Sequence, residues 1–307
     1  LPQIIKKSGL KYFMTTKISW NEFNRVPYDT FRWQGLDGSQ VLAHFITTPS
    51  KSWFATYNGQ LTAEEVKGTW DAYKQKRLYS SLLHAFGFGD GGGGPSADML
   101  ETARRLRDMP GLPRYRIGRA DEYYRALEAV RDSAPVWNGE LYLEFHRGTY
   151  TSQARTKRLN RKAELALHLA EALAATDHLY GGEYPAQELN RSWKTVLLNQ
   201  FHDILPGSSI GEVYAESTEQ YREVLATAEA VGGAAIRALA KRVNTERDSV
   251  LVYNGLGSER TGVVEVDLPE GTGAMVLTDE DGSAVPVQAT EGGRALIAVA
   301  GVPAYGW

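Results

Sequence analysis

Residues Arg155–Thr176 read RTKRLNRKAELALHLAEALAAT, a stretch built mostly from alanine, leucine, lysine, arginine and glutamate. These residue types lose little side-chain freedom in a helix and therefore favour it. The pair Gly181-Gly182 that follows is typical of a helix end. The stretch predicts a long helix, and it determines how the sequence on either side is interpreted.

Two further helices are predicted after it. Gln187–Phe201 carries apolar residues near helical spacing, and the segment from Ile210 to about Val243 is rich in alanine. Gly232-Gly233 lies in the middle of this third helix and predicts a bend or a break there. Three long helices with short connections indicate a three-helix bundle, which we place at residues 133–243.

The sequence before the bundle alternates between two kinds of segment. Runs typical of strands are Leu10–Thr16, Gln40–Ile46 and Leu78–Phe88, and segments of helical composition are Ala63–Arg77 and Ala97–Met109. This alternation predicts an α/β architecture with parallel strands over residues 1–132.

The sequence after the bundle is typical of β-structure. Val250–Tyr253 precedes the turn residues Asn254-Gly255, Val263–Leu268 alternates, and the acidic stretch Asp279-Glu280-Asp281-Gly282-Ser283 predicts a hairpin loop before Val285–Val287. Residues 244–307 are thus predicted to begin a β-sandwich, with too few strands to close a core alone. The predicted fold class is a multidomain chain of α/β, α and β parts.

Composition excludes several classes of protein. The 307 residues carry a formal net charge of −3, which disfavours a nucleic-acid binder. No cysteine is present, so disulfides and thiolate metal sites are excluded, and the absence fits a reducing compartment. No apolar run reaches the length of about 20 residues that spans a bilayer, so we expect no membrane segment.

Phe88-Gly89-Asp90-Gly91-Gly92-Gly93-Gly94-Pro95 is the first candidate site. Glycines let the backbone pass close to a ligand, and Asp90 is the one ionisable group of this loop. It could present a catalytic carboxylate to a substrate, or it could be a flexible turn with a solvated aspartate. A phosphate cradle is a third, weaker interpretation, because the loop lacks a Gly-Lys-Ser/Thr ending.

Asn199–Gly207, reading NQFHDILPG, is the second candidate site. His202 follows an amphipathic helix and stands beside Asp203, and an imidazole next to a carboxylate can bind a metal. The alternative is a histidine that contacts the last carbonyls of the helix.

Three further segments carry polar groups. Leu141–Tyr150, with Glu144, His146 and Arg147, could bind sugar hydroxyls or form an interdomain polar network. Thr15–Asn24 could be a substrate-facing loop or could surround a buried Trp20. The cationic run on the first long helix is interpreted as a solvated face: Arg155, Lys157, Arg158, Arg161 and Lys162.

Taken in order, these motifs resemble the glycoside hydrolase family 38 α-mannosidases of the bacterial and cytosolic type. The matching stretches are LPQIIKKSGLKYFMTTKISWNEFNRVPYDTFRWQGLDGS, FGFGDGGGGPSADMLE, GELYLEFHRGTYTSQA, LNQFHDILPGSSIGEVY and VLVYNGLGSERTGVVEV. The resemblance implies an α/β barrel of the seven-stranded type, a three-helix bundle and β-sandwich domains. It also implies retaining hydrolysis of terminal α-D-mannosides in oligosaccharides, with two carboxylates and a divalent cation.

The resemblance assigns roles residue by residue. Asp90 matches the acid/base carboxylate, His202 a cation ligand and Asp203 the adjacent acid that contacts substrate. The resemblance places further substrate contacts, less closely, at Lys17, Tyr57 and Asn58, and Arg147 is a candidate contact from its own segment. Zinc is the expected cation, and calcium, cobalt or manganese would also suit histidine and carboxylate ligands.

The matching sequence departs from the family pattern at its start. The family's nucleophile, in a Pro-Asp-x-Phe-Gly type stretch, and two cation ligands, in a His-x-Asp type motif, would precede Leu1. We therefore expect an internal piece of an enzyme that is inactive alone and needs the upstream part of the same protein as its partner. The open strand edges of such a piece would favour a homo-oligomer. The resemblance and the lack of cysteine also suggest a cytoplasmic location. The rival hypothesis is a non-catalytic scaffold that binds carbohydrate weakly.

Overall fold

A computed structural model describes residues 1–51, 54–90, 92–245, 249–267, 276–279, 281–290 and 292–307. Gly91, Leu268 and Glu280, which the sequence analysis named, lie outside these ranges. The chain divides into two compact units, Leu1–Arg147 and Gly148–Trp307, and each is described by itself.

The first unit is a mixed α/β unit. Its strands are β1 (Tyr12–Thr15), β2 (Thr30–Gln34), β3 (Gln40–Phe45) and β4 (Val136–Asn138). Its helices are α1 (Pro2–Lys7), α2 (Ala63–Ala72), α3 (Ala97–Arg105) and α4 (Ala120–Leu127). Short 3-10 segments lie at Lys17–Trp20, Leu106–Asp108 and Glu128–Ser133, and another, Glu144–Tyr150, begins at the end of this unit.

The four strands form one sheet in the order β1-β3-β2-β4. β1 runs parallel to β3 and β4 runs parallel to β2, but β2 and β3 are antiparallel. The prediction of parallel strands was therefore wrong for this central pair. A tight turn joins the two strands, with Gly38 at φ +80° and the Asp37 carboxylate accepting from the amide and hydroxyl of Ser39. Such a turn reverses the chain and imposes antiparallel pairing.

The sheet separates two apolar layers. One face of the sheet contributes to a cluster of buried side chains that includes Phe31, Val41, Ala43 and Phe45. Leu42, which lies between Val41 and Ala43 in β3, packs on the other face against Tyr123, Tyr124 and Leu127 of α4. This is the period of two expected of a strand buried on both faces.

The described residues contain small sheets and no closed barrel. The predicted strand Leu78–Phe88 is wrong: this segment forms only a single bridge, between Phe86 and Gly59. Its side chains explain the difference, because Tyr79 and Leu83 pack in the α4 cluster while Phe86 packs against a separate cluster around Leu61. The segment thus passes from one apolar cluster to the other without pairing along a strand.

The second unit begins with three helices, α5 (Ala154–Leu179), α6 (Ala186–Asn199) and α7 (Gly211–Ala240). They pack around shared buried side chains, among them Leu167 of α5, Val196 of α6 and Tyr221 of α7. Each helix lies where the sequence predicted one. The predicted break at Gly232-Gly233 is wrong, because α7 is continuous through this pair, and the predicted bend stays a prediction.

The rest of the second unit is β-structure. β5 (Arg260–Asp267), β9 (Arg294–Val302) and β8 (Val287–Thr290) form an antiparallel sheet in that order, and β6 (Leu277–Thr278) pairs with β7 (Ala284–Val285). The predicted strand Val250–Tyr253 is wrong: it is irregular up to a bridge at Asn254. The side-chain amide of buried Asn254 donates to three carbonyls, those of Ser258, Val302 and Pro303, which holds this segment as a loop.

Candidate functional site

The carboxylate of Asp90 lies at the tip of the glycine-rich turn and is held by two neighbouring side chains. The hydroxyl of Tyr57 donates to Oδ1 over 2.7 Å, and the amide of Asn58 donates to Oδ2 over 3.3 Å. Asp90 itself is exposed. The two donors therefore orient a carboxylate that solvent or a ligand can still reach.

The turn that carries Asp90 is fixed by the same amide side chain. Oδ1 of Asn58 accepts from the backbone N–H of Gly89 over 2.7 Å. A Cβ atom at position 89 would lie 2.5 Å from that oxygen and 3.3 Å from the Tyr57 ring. Glycine at this position thus permits the close approach that brings Asp90 to its two donors.

A cationic and aromatic cluster lies beside Tyr57. The ammonium group of Lys17 is 5.5 Å from the centre of the Trp20 ring and 5.5 Å from that of the Tyr57 ring, within cation–π range. The indole N–H of Trp20 donates to the carbonyl of Ala55 over 2.8 Å, and its ring packs against Phe54 at 4.8 Å. The Trp20 ring is therefore held in place beside the ammonium group of Lys17, which also lies against the Tyr57 ring.

The tyrosine that holds Asp90 stays protonated well above neutral pH. Burial raises the pKa of Tyr57, and the hydrogen bond to Asp90 and the charge of that carboxylate raise it further. Tyr57 is therefore a hydrogen-bond donor to Asp90 throughout the working range of an enzyme.

Four of the residues named from the sequence thus lie together: Lys17, Tyr57, Asn58 and Asp90. Arg147 belongs to a different contact, with its guanidinium 5.5 Å from the centre of the Tyr142 ring. The hydroxyl of Tyr142 accepts from the side-chain amide of Asn24, which also donates to Glu144.

Glu144 forms a hydrogen-bond network in the segment for which the sequence analysis left two interpretations open. Its carboxylate accepts from the backbone amides of Glu22, Phe23 and Asn24 over 2.7, 3.1 and 2.6 Å. Desolvation raises the pKa of this carboxyl, but the hydrogen bonds from those amides outweigh it and lower the pKa to about 2. Buried Asn21 adds two hydrogen bonds to this network, because its side chain donates to the carbonyl of Tyr142 and accepts from the backbone amide of Glu144.

This network bears on the interpretation of Leu141–Tyr150. The Glu144 carboxylate is occupied by backbone amides and ties residues 22–24 to residues 142–144 within the first unit. Of the two interpretations of Leu141–Tyr150, the contacts of Glu144 favour a polar network over sugar binding, although this network lies within one unit. The pairing crosses about 120 positions in sequence, so no local pattern could have indicated it.

His202 lies in the second unit, in a turn beyond the end of α6. The helix ends at Asn199, and the His202 imidazole is highly exposed, with Nε2 3.4 Å from Oδ2 of Asp203. The backbone carbonyl of Asp203 accepts from the hydroxyls of Ser208 and Ser209. The turn therefore presents an imidazole and a carboxylate side by side to solvent.

A lysine that the sequence placed on a solvated face secures this turn. The ammonium group of half-buried Lys157 donates to the carbonyls of Ser152, Leu205 and Pro206 over 2.6, 2.8 and 3.2 Å. Desolvation lowers the pKa of Lys157. The interpretation of the cationic run as a solvated face was wrong for Lys157, which joins the His202 turn to the start of α5.

The described residues do not form a metal site on their own. None of the described histidine, aspartate and glutamate side chains gather in a group of three or more that could hold an ion. His202 and Asp203 supply two neighbouring donors, fewer than a tightly bound zinc requires. A cation at this turn would need ligands from outside the described part of the chain.

Within the described ranges, no helix combines the length and the hydropathy that a membrane crossing requires.

Comparison with known proteins defines the class as a glycoside hydrolase. Residues 1–140 match the N-terminal domain of glycosyl hydrolases family 38, and residues 144–239 match the α-mannosidase middle domain. The chain therefore belongs to glycoside hydrolase family 38.

Several α-mannosidases are similar to the chain. Alpha-mannosidase 2C1 of Homo sapiens is 38% identical over 279 residues, which is 90% of this chain and 26% of that protein. Alpha-mannosidase G of Dictyostelium discoideum is 41% identical over 225 residues, 73% of this chain and 20% of that protein. The α-mannosidase of Saccharomyces cerevisiae is 43% identical over 226 residues, which is 70% of this chain and 20% of that protein.

The fold has a counterpart among solved structures. The crystal structure of an α-mannosidase from Enterococcus faecalis V583 matches 98% of this chain and 40% of its own chain, with a TM-score of 0.63 at 19% identity. At that identity the likeness concerns the fold alone. The chain spans about a fifth to a quarter of the length of the curated relatives that it matches.

Proposed function

We propose that this chain is part of a retaining exo-α-mannosidase that hydrolyses terminal α-D-mannosides in oligosaccharides, with Asp90 as its acid/base residue. The observation that supports this most is the exposed Asp90 carboxylate, oriented by hydrogen bonds from Tyr57 and Asn58. A reacting carboxyl group must be held in one orientation and must still reach substrate, and Asp90 meets both conditions.

In this mechanism the Asp90 carboxyl first gives its proton to the glycosidic oxygen while a second carboxylate attacks the anomeric carbon. The bond to the leaving alcohol breaks, and mannose becomes covalently attached to the enzyme. Asp90, now a carboxylate, then takes a proton from water as that water attacks the anomeric carbon and releases mannose. Tyr57 and Asn58 donate to both oxygens and keep the group aligned in both half-reactions.

The other assignments complete the substrate site. Trp20 and Tyr57 offer ring faces on which a pyranose can stack, and Lys17 lies within reach of its hydroxyls. We assign substrate contacts to Lys17, Tyr57, Asn58 and Asp203. Arg147 remains a candidate of lower rank, because it lies on Tyr142 and not in the Asp90 cluster.

We propose His202 as one ligand of a divalent cation, with zinc as the first choice and calcium, cobalt or manganese as alternatives. Its support is the exposed pair of imidazole and carboxylate in the Lys157-secured turn. The remaining ligands and the nucleophile would come from sequence that the relatives have and this chain does not span, so we assign no reaction step to the cation. We further propose the division into a catalytic part (1–132), a three-helix bundle (133–243) and the start of a β-sandwich (244–307), and a cytoplasmic location.

Asp90→Asn in the full-length protein tests the proposal. An acid/base residue contributes roughly 10²–10⁴-fold, and we expect such a loss in kcat/KM on an oligosaccharide, whose leaving group needs a proton. A dinitrophenyl mannoside, whose leaving group needs none, should retain most of its kcat/KM. Azide, a nucleophile that needs no base, should restore turnover and yield mannosyl azide of retained configuration.

Asp98→Asn is the matched control, because Asp98 is an exposed carboxylate of the same unit outside the Asp90 cluster. It should leave both substrates unaffected. Equal rates for Asp90→Asn and the wild type on the oligosaccharide would remove Asp90 from the mechanism.

The scaffold hypothesis retains one supporting observation, the incomplete ligand set around His202. It is separated from the enzyme hypothesis by assaying the 307-residue chain with and without the rest of the protein. We expect mannoside hydrolysis only when both are present, and activity from this chain alone would contradict the proposed division of the site.

A further inference from the structure

Besides these side-chain contacts, a backbone bridge at Gly59 connects the segment that carries Tyr57 and Asn58 to the segment that leads into the Asp90 turn. Gly59 donates its N–H to the carbonyl of Ala85 over 3.3 Å, and Gly87 donates to the carbonyl of Gly59 over 2.9 Å. Residues 57–58 precede this bridge and residues 88–90 follow it. The Gly59 bridge therefore fixes the backbone on which the donors and the carboxylate stand, and the Asn58–Gly89 hydrogen bond adds to it.

Behind the bridge lies a carboxylate that contacts backbone. Glu65, near the start of α2, accepts from the amides of Gln60, Leu61 and Thr62 over 3.0, 2.7 and 3.3 Å. The backbone N–H of Glu65 in turn donates to the hydroxyl oxygen of Thr62 over 3.2 Å, which makes a capping box. Glu65 thus fixes the three residues that directly follow the bridge.

The turn that Glu65 holds is strained. Leu61 adopts φ +60°, which is uncommon for a residue with a branched side chain, and its side chain is completely buried. A conformation of this kind persists only where its surroundings impose it. Here the burial of the Leu61 side chain and the three amide bonds to Glu65 supply that constraint.

Gly59 itself is closely enclosed where a side chain would begin. A Cβ atom there would lie 2.7 Å from the carbonyl oxygen of Ala85, 2.7 Å from Nε2 of His84 and 3.4 Å from Oε2 of Glu65. The φ angle of Gly59 lies outside the left-handed region, so steric room, and not backbone conformation, requires glycine. The bridge is thus pressed against the ring of His84 and close to Glu65.

We infer that Glu65 is a positioning residue for Asp90, acting through the 60–62 turn and the Gly59 bridge. It touches neither substrate nor the reacting atoms. Its carboxylate holds the turn, the turn holds the bridge, and the bridge sets Tyr57 and Asn58 against the two oxygens of Asp90. This inference rests on the proposed acid/base role of Asp90.

Glu65→Gln in the full-length protein is the test, because glutamine keeps the shape but replaces one acceptor oxygen by a donor. A misplacement of about 1 Å can cost 10²-fold, and we expect kcat/KM on a mannoside with a poor leaving group to fall roughly tenfold or more. The dinitrophenyl mannoside should change far less, because its departure needs no proton from Asp90. Glu64→Gln, one position earlier in the first turn of α2 and exposed, should change neither rate.

Gly59→Ala keeps the inference testable if Glu65→Gln folds poorly, and a double variant tests whether Glu65 acts through Asp90. Gly59→Ala should push the bridge apart and give the same dependence on the leaving group. On an Asp90→Asn background, Glu65→Gln should cause no further loss, because residues that act through one group are not additive. Equal losses on both substrates, or an additive loss in the double variant, would overturn the inference.

The outcome also separates this inference from the function on which it rests. If Asp90→Asn shows the leaving-group dependence and neither Glu65→Gln nor Gly59→Ala does, the positioning role fails alone. If Asp90→Asn lacks that dependence, the acid/base assignment fails, whatever the Glu65 variants show.

Discussion

The hydroxyl of Tyr57 lies 2.7 Å from Oδ1 of Asp90, and this contact joins residues 33 positions apart in sequence. Tyr57 is partly buried and Asp90 is exposed, so the partly buried residue orients the exposed one. A donor held by burial can hold a reacting group in place without blocking its access to substrate.

Tyr57→Phe should therefore affect activity more than stability. Removal of the hydroxyl leaves the exposed carboxylate to water, so we expect the free energy of unfolding to fall by less than about 1 kcal/mol. We expect kcat/KM on a mannoside with a poor leaving group to fall roughly tenfold, because the Asp90 carboxyl group loses one of the two donors that align it. Tyr150→Phe, at a tyrosine that is 70% exposed, is the control. Unchanged kinetics in Tyr57→Phe would show that Asn58 alone orients Asp90.

The sequence indicated the members of the Asp90 cluster but not what supports them. Resemblance to a known family named Lys17, Tyr57, Asn58 and Asp90, and they lie together. The capping box of Thr62 and Glu65 has a readable local spacing, yet its effect on Asp90 depends on the Gly59 bridge. Glu144 has no local signal at all, because its partners lie about 120 positions away.

Fold prediction succeeded where local preference and packing agree. The three long helices lie where alanine, leucine and charged residues favour them. Val250–Tyr253 reads as a strand by composition, but the side chain of Asn254 holds it as a loop through three carbonyls. The antiparallel pairing of β2 and β3 could have been read from the Asp37-Gly38 turn, which the alternation of strand and helix segments obscured.

Buried His44 predicts a loss of stability in acid. Burial lowers the pKa of His44 to about 3, from 6.5 in an unfolded chain. Between these values the unfolded state binds one more proton than the folded state, so the free energy of unfolding falls as pH drops below 6.5. The slope is at most about 1.4 kcal/mol per pH unit.

His44→Asn should reduce this slope, because asparagine does not titrate and can still accept from Thr30, the partner of Nδ1. Hydrogen exchange of the β2 and β3 amides in urea, at pH 6.5 and pH 5, measures the difference within the first unit. Part of the slope should remain, because burial also lowers the pKa of His84. A slope identical to that of the wild type would contradict the assignment to His44.

Lys157→Met should loosen the turn that carries His202. A lysine in the first turn of a helix is unfavourable with respect to the helix dipole, so its stabilising effect must come from the three carbonyls that it binds. We expect a loss of roughly 1–2 kcal/mol and faster hydrogen exchange at residues 203–208. Arg158→Met removes an exposed neighbouring cation and should leave hydrogen exchange at residues 203–208 unchanged. Equal exchange in both variants would refute the role of Lys157.

Gly233→Ala should stabilise the second unit, contrary to what a glycine pair suggests for a helix. α7 is continuous at this position, and the three atoms nearest to an added Cβ all belong to the guanidinium group of Arg237, with Nη1 nearest at 3.1 Å, which is the end of a flexible side chain. Alanine restricts the unfolded chain and favours the helix, so we expect a gain of about 0.5–1 kcal/mol in urea unfolding. Gly207→Ala should act oppositely, because φ is +101° and the added atom would lie 2.7 Å from Cβ of Ser152. Destabilisation by Gly233→Ala would mean that α7 bends at this pair in solution, as its sequence predicted.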